Sequence, residues 1–260
     1  MRGAPVVAAL LLVVQSAQAG AWTLDRGKVS VFTGMTASTA ARRFGDDGSA
    51  EQKIIFRKLL VQNWTEVGLT DAVTLFAAPD YVMAKSGTPT TAVGSMNSMS
   101  IEGGVRILLL SHIGMLSVQG SAKSAGAFDM STSSSGESGR QFEARLLYGR
   151  NFKFLKHDGF IDIEAAQRWI ARPRPDEFAF DATVGWWLTR KYLVLVQSFN
   201  VMTADGVRPP YEPYRLHKLQ VSLVQSMTKR WSFQTGYFIS IAGRNIVKET
   251  GVVTTVWYKT

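Results

Sequence analysis

Two amphipathic arms joined by a short basic turn, Glu177 to Val201, constrain the fold more than any other stretch. In the first arm Phe178, Phe180, Ala182, Val184, Trp186 and Leu188 share one face, and Glu177, Asp181, Thr183 and Gly185 share the other. Period-two alternation sustained over this length specifies a β-strand. Thr189, Arg190 and Lys191 form the turn, and Tyr192 to Val201 forms the return arm. Each arm has the roughly 10-residue length that a tilted strand needs to cross a bilayer. Trp186, Trp187 and Tyr192 cluster beside the turn, where amphipathic rings favour a membrane–water interface. The pattern is that of one hairpin of a transmembrane barrel.

The N-terminus indicates how such a hairpin could reach a membrane. Met1 and Arg2 precede an apolar run from Pro5 to Val14, and Ala17-Gln18-Ala19 supplies a small-residue cleavage pattern. Residues 1–19 therefore read as a secretory signal peptide, with the mature barrel expected over residues 20–260; a cut after Ala21 also fits the small-residue rule. The sequence has no cysteine, which excludes disulfides, thiolate metal sites and a lipoprotein anchor. No later apolar run is long enough for a membrane helix. Among exported chains that enter a membrane, only helices and closed barrels satisfy their backbone groups. The formal charge is +9, but the cations are scattered over short connections, such as Arg190-Lys191 and Lys229-Arg230. Export and this spacing argue for anionic lipid headgroups and against nucleic acid.

Similar strands recur along the chain, and about twelve can be placed. The first runs from Gly27 to Ala37 and the second from Lys53 to Thr65, the latter blurred by consecutive Leu59, Leu60 and Val61. The third spans Val73 to Lys85, where Pro79 predicts a bulge or an edge-like irregularity. The fourth sets Met99, Ile101, Val105, Ile107 and Leu109 against Glu102, Gly104 and Arg106, and later strands follow the same rule. Connections after odd strands are mostly long and rich in Gly, Ser, Pro and charge; those after even strands are mostly tight. A Ser/Gly-rich loop occupies residues 126–139, and Phe152 to Gly159 reads as a turn. This asymmetry belongs to outer-membrane barrels, with both termini in the periplasm. Trp22, Trp64, Trp186, Trp187, Trp231 and Trp257 are expected near the periplasmic rim. The fold class is thus all-β, a transmembrane up-and-down antiparallel barrel of about 12 strands in the cell outer membrane. A soluble sandwich or lipocalin fits less well, given the strand lengths and the charges on alternate faces.

The stretch Gly20-Ala21-Trp22-Thr23-Leu24, the loop with Arg43-Phe44-Gly45, and the turn Gly68-Leu69-Thr70-Asp71 before Val73-Thr74-Leu75 resemble proteobacterial outer-membrane barrels of the XagA-like type, and more broadly transporter-type barrels. That resemblance implies a pore or export component for surface polysaccharide or small solutes, in a setting of biofilm formation. The chain departs from such barrels in ending Trp257-Tyr258-Lys259-Thr260 rather than on an aromatic residue.

Charges on barrel strands are costly against lipid, about 2–4 kcal/mol for Arg or Lys at the midplane. Glu102, Arg106, Lys123, Glu143, Arg145, Asp162, Glu164, Arg168, Asp181 and Lys218 are therefore expected to line the lumen. Their mixed signs allow a channel lining or a salt-bridged interior that closes the barrel. No catalytic centre, cofactor or metal site is expected. His112 and His157 fall in turns far apart, and His217 lies near the external end of the tenth strand with no Gly-x-Ser-x-Gly elbow anywhere. A lipid-modifying enzyme or an adhesion barrel are the alternatives to a pore. Outer-membrane lipid, lipopolysaccharide and the barrel-assembly machinery are the expected partners.

Overall fold

A computed structural model describes residues 20–50, 52–87, 89, 94–124, 140–172, 174–204, 207 and 212–260. The signal peptide and the 126–139 loop inferred from sequence lie outside these residues. The strands are β1 (Val29–Phe44), β2 (Gln52–Thr70), β3 (Val73–Gly87), β4 (Gly94–Leu110), β5 (Met115–Lys123), β6 (Gln141–Phe154) and β7 (His157–Ile170). They continue as β8 (Glu177–Trp187), β9 (Tyr192–Thr203), β10 (Arg215–Ser226), β11 (Trp231–Arg244), β12 (Ile246–Val247) and β13 (Thr250–Lys259). Each long strand pairs antiparallel with its neighbour in the chain. β13 pairs with both β11 and β1, from Ser30↔Lys259 to Thr39↔Thr250, and closes a barrel of 12 long strands. The two-residue β12 is an addition at the upper end of β1.

Closure satisfies every strand edge, which a barrel in lipid requires. The chain end completes it: Thr260 N donates to Val29 O, and Val29 N donates to Thr260 Oγ1. Both ends of the described chain lie on the side of the tight turns. Those turns are residues 71–72, 111–114, 155–156, 188–191 and 227–230, and the longer connections lie opposite. This end is the periplasmic one by the usual asymmetry of such barrels. The Phe152–Gly159 turn of the sequence reading contracts to Leu155-Lys156. Both residues have positive φ, at 49° and 65°, as a two-residue hairpin of matching twist demands.

The faces follow the period-two pattern. Leu219, Val221 and Leu223 point outward, as do Phe233, Ile239 and Ile241, and Val221 is 55% exposed. Ser222, Gln234 and Ser240 point inward and are buried. A large exposed apolar belt is the signature of a wall in lipid, because a water-soluble surface would lose free energy by exposing it. Pro79 does not create a bulge. The register is continuous with β4 through Pro79↔Ile101, and on the β2 side it resumes unshifted at Thr65↔Ala77 after Gln62↔Asp80. The missing N–H of proline removes ladder bonds on one side without displacing the strand.

The tryptophan ring divides. Trp186 and Trp231 face outward at the periplasmic end, Trp231 against Tyr258. Trp22, Trp64 and Trp257 are instead buried inside, and Trp187 packs against the same core. The reason is parity. Trp64 shares its face with Glu66 and Lys58, and Trp257 lies opposite Phe32, so both belong to the lumen side.

Candidate functional site: the lumen and its N-terminal segment

The interior is built in two zones. At the periplasmic end Phe32, Trp64, Phe76, Leu147, Phe160, Leu193, Leu195, Val224 and Trp257 form an apolar floor. Trp64 stacks on Phe76 at 4.5 Å between centroids, and Phe32 meets Trp257 edge-on at 5.5 Å. The residues ahead of β1 complete this floor. Ala21, Trp22 and Leu24 are buried within the barrel, and Trp22 packs edge-on against Phe160 at 5.8 Å. Gly149 makes this possible, since a Cβ there would lie 2.5 Å from the Trp22 ring.

The inserted segment has no strand partner, so its backbone groups need others when buried. Inward side chains supply them. Asp162 Oδ1 accepts the Ala21 amide at 2.9 Å, and Ser117 Oγ donates to the Ala21 carbonyl at 2.5 Å. Arg106 Nη1 donates to the Trp22 carbonyl at 3.0 Å, and Thr74 Oγ1 accepts the Leu24 amide at 2.8 Å. Arg106 is itself fixed by Glu66 at 2.8 Å and by Gln119, which accepts from its Nε and Nη2. These partners come from β3, β4, β5 and β7, so the segment is clasped from several sides.

Above the floor the lumen is charged. Arg145 binds Glu143, Glu164 and Asp181, drawing β6, β7 and β8 together. Arg168 bridges Glu143 at 2.6 Å and Glu177 at 3.1 Å, and Tyr214 donates its hydroxyl to Glu177. On the opposite wall Glu249 is held by Lys58, Lys218 and Ser38. Asp80 takes Lys123 at 2.5 Å and Ser100 at 2.6 Å. A chamber of about 420 Å³ remains among these groups, with Lys58, Asp80, Glu102, Arg145, Arg168 and Asp181 in its lining. At the extracellular rim Arg244 clasps Asp46 at 2.5 Å and holds that carboxyl below its ordinary range.

All ten residues expected on the lumen side have inward positions, but they divide by role. Arg106 and Asp162 hold the N-terminal segment. Glu143, Arg145, Glu164, Arg168 and Asp181 form one network, while Lys123 and Lys218 belong to two separate clusters. Glu102 lines the chamber. Sequence reasoning missed Lys58, Glu66, Asp80 and Glu249, and it put Glu177 on the same face as Asp181 without counting it among the lumen residues. Lys58, Glu66 and Asp80 share parity with buried Phe56, Trp64 and Ala78, a signal obscured by the apolar triplet in β2 and by Pro79 in β3.

On the outer wall His217 Nδ1 lies 2.8 Å from Asn200 Oδ1, and Asn200 Nδ2 donates to Ser198 Oγ at 3.0 Å. The serine thus sits on the amide side of Asn200 and bonds to it, not to the imidazole. A hydrolase needs its base hydrogen-bonded to the nucleophile, and this cluster has the wrong order.

No protein-family model matches the sequence, and no curated protein matches it. Solved structures do resemble it. The COG4313 outer membrane channel from Pseudomonas putida F1 aligns with a TM-score of 0.71 over 95% of this chain and 100% of its own, at 10% identity. The translocator domain of the autotransporter NalP from Neisseria meningitidis gives 0.57 over 91% and 90%, at 12% identity. The NanC porin gives 0.52 over 89% and 100%, at 9% identity. The XagA-like resemblance rests on the short sequence motifs alone. Together, the closed 12-strand antiparallel sheet, the apolar outer belt and these likenesses make the molecule a barrel of the outer-membrane type.

Proposed function

We propose that the protein is an outer-membrane pore for small polar or charged solutes, closed in this conformation by its own N-terminal segment. The segment ahead of β1 carries the reading. Three of its residues occupy the lumen, yet they are held by hydrogen bonds and side-chain packing and not by the barrel ladder. A barrel meant only to be solid could fill this volume with strand side chains, as small barrels do. A separable closing element beneath a charged chamber suits a conduit. The likeness to a channel and a porin supports the same reading. A chamber of about 420 Å³ fits a small solute better than an extended glycan, so we place small solutes ahead of the surface polysaccharide suggested by the XagA-like resemblance.

The test is deletion of residues 22–25, which leaves Gly20 and Ala21 in place for processing. In planar bilayers the shortened barrel should show steady conductance well above that of the full chain. A heat-modifiable, folded variant as silent as the parent would discard the pore. It would favour a structural barrel braced by its inward ion pairs, which is the reading that the mixed-sign network favours on its own.

A further inference from the structure

The outer wall of β1–β4 carries a feature that the lumen does not use. Arg57 of β2 stands directly opposite Lys85 of β3, and Lys53 of β2 directly opposite Arg42 of β1. All four are exposed. Directly opposed side chains on one face have Cβ atoms about 4.5–5.5 Å apart, and like charges there repel. No hydrogen bond or ion pair relieves them among the described residues. The outward positions of β1–β4 also hold no carboxylate there; Glu66, Asp80 and Glu102 all face the lumen.

The height of the cluster is informative. The outward residues of β2 rise from Val67 through Val61 to Arg57. Ten residues at about 3.3 Å each, tilted about 40°, span about 25 Å, the thickness of the apolar band. Arg57 and Lys85 therefore lie where the band ends on the extracellular side. Directly beneath them are exposed Val61, Tyr81 and Met83, which suit acyl chains. A set of four cations with no anionic partner among the described residues, above an apolar wall at the outer leaflet, calls for an anion attached to a lipid.

We propose that Arg42, Lys53, Arg57 and Lys85 form a binding site for the phosphorylated glucosamine headgroup of lipid A, the membrane anchor of lipopolysaccharide. Arg57 and Lys85 grip one phosphate, since a guanidinium offers a fork of donors and an ammonium a point charge. Lys53 and Arg42, four residues further up β2, meet the outer part of the headgroup. The acyl chains lie along Val61, Tyr81 and Met83.

Native mass spectrometry of the detergent-purified full chain tests the site. Bisphosphorylated lipid A should bind the parent, and the double variant Arg57→Gln, Lys85→Gln should bind it at least tenfold more weakly. Arg215→Gln, on β10 and separated from β1 by β13 and β11, should bind like the parent. Heat-modifiable migration confirms that each variant is folded; should the double variant not fold, Lys53→Gln with Arg42→Gln is measured instead, with the same loss expected. Lipid A lacking phosphate should bind the parent as weakly as the double variant binds the bisphosphorylated form. Excess inorganic phosphate should leave lipid A bound, because the acyl contacts are absent from the free ion. Equal binding by parent and folded variants, equal binding of phosphate-free lipid A, or full displacement by inorganic phosphate overturns the proposal.

Discussion

Arg106 shows how much a single residue does here. It is 1% exposed and contacts a carboxylate, an amide oxygen and the carbonyl of Trp22. Its partner Glu66 is also 1% exposed. Replacing Arg106 with Ala leaves that carboxylate buried without its cation, which typically costs about 3–5 kcal/mol. It also frees the Trp22 carbonyl. The Arg106→Ala barrel should unfold at lower urea, read by the loss of heat-modifiable migration, and should conduct in bilayers without any deletion of the N-terminal segment. Arg106→Gln, which keeps one donor, should fall between. An unchanged urea midpoint for Arg106→Ala would show that the guanidinium is dispensable to both tasks.

Strands were the most legible level of this molecule. β10 alternates Leu219, Val221 and Leu223 against Lys218, Gln220 and Ser222, and the bilayer turns that alternation into an outside and an inside. Lipid cannot satisfy charge, so inward placement of Glu143, Arg145, Asp162 and Arg168 followed from parity. Parity could not say which carboxylate each arginine takes, since that depends on strand stagger. It also could not place Trp22, which precedes any periodic segment and whose position is set by Gly149 and Phe160 across the barrel. The wall offers a direct check of the register. Val221 lies between Val196 and Tyr237 on the lipid side. Val221→Arg introduces a cost of about 2–4 kcal/mol near the midplane and should lower the yield of folded barrel. Ser222→Ala, one residue on and facing inward, should not. Equal yields for the two would mean that the strand has slipped by one, which reverses its faces.

At the scale of the whole barrel, the proposed pore would separate closure from selectivity. In the pore proposed above, the apolar floor and the inserted segment would decide whether anything passes, and the charged chamber would decide what does. A barrel of 12 strands is wider than the side-chain-filled eight-stranded kind and narrower than an open porin. Room for both functions is consistent with that width. Selectivity should therefore be read with the closing segment removed. In that background, Arg168→Ala takes one cation from the chamber and leaves every carboxylate in place. Glu143 keeps Arg145, and Glu177 keeps Arg174 at 3.6 Å and Tyr214, so the network should hold. The lost charge acts on a permeant ion about 6 Å away with about 0.7 kcal/mol even at the dielectric constant of water, or roughly a threefold change in preference. The potential at zero current under a salt gradient should shift towards cations by at least that ratio, and more at low salt, where screening is weaker. An unshifted potential in a conducting variant would place the ion path away from Arg168, along the opposite wall of Lys58, Lys218 and Glu249.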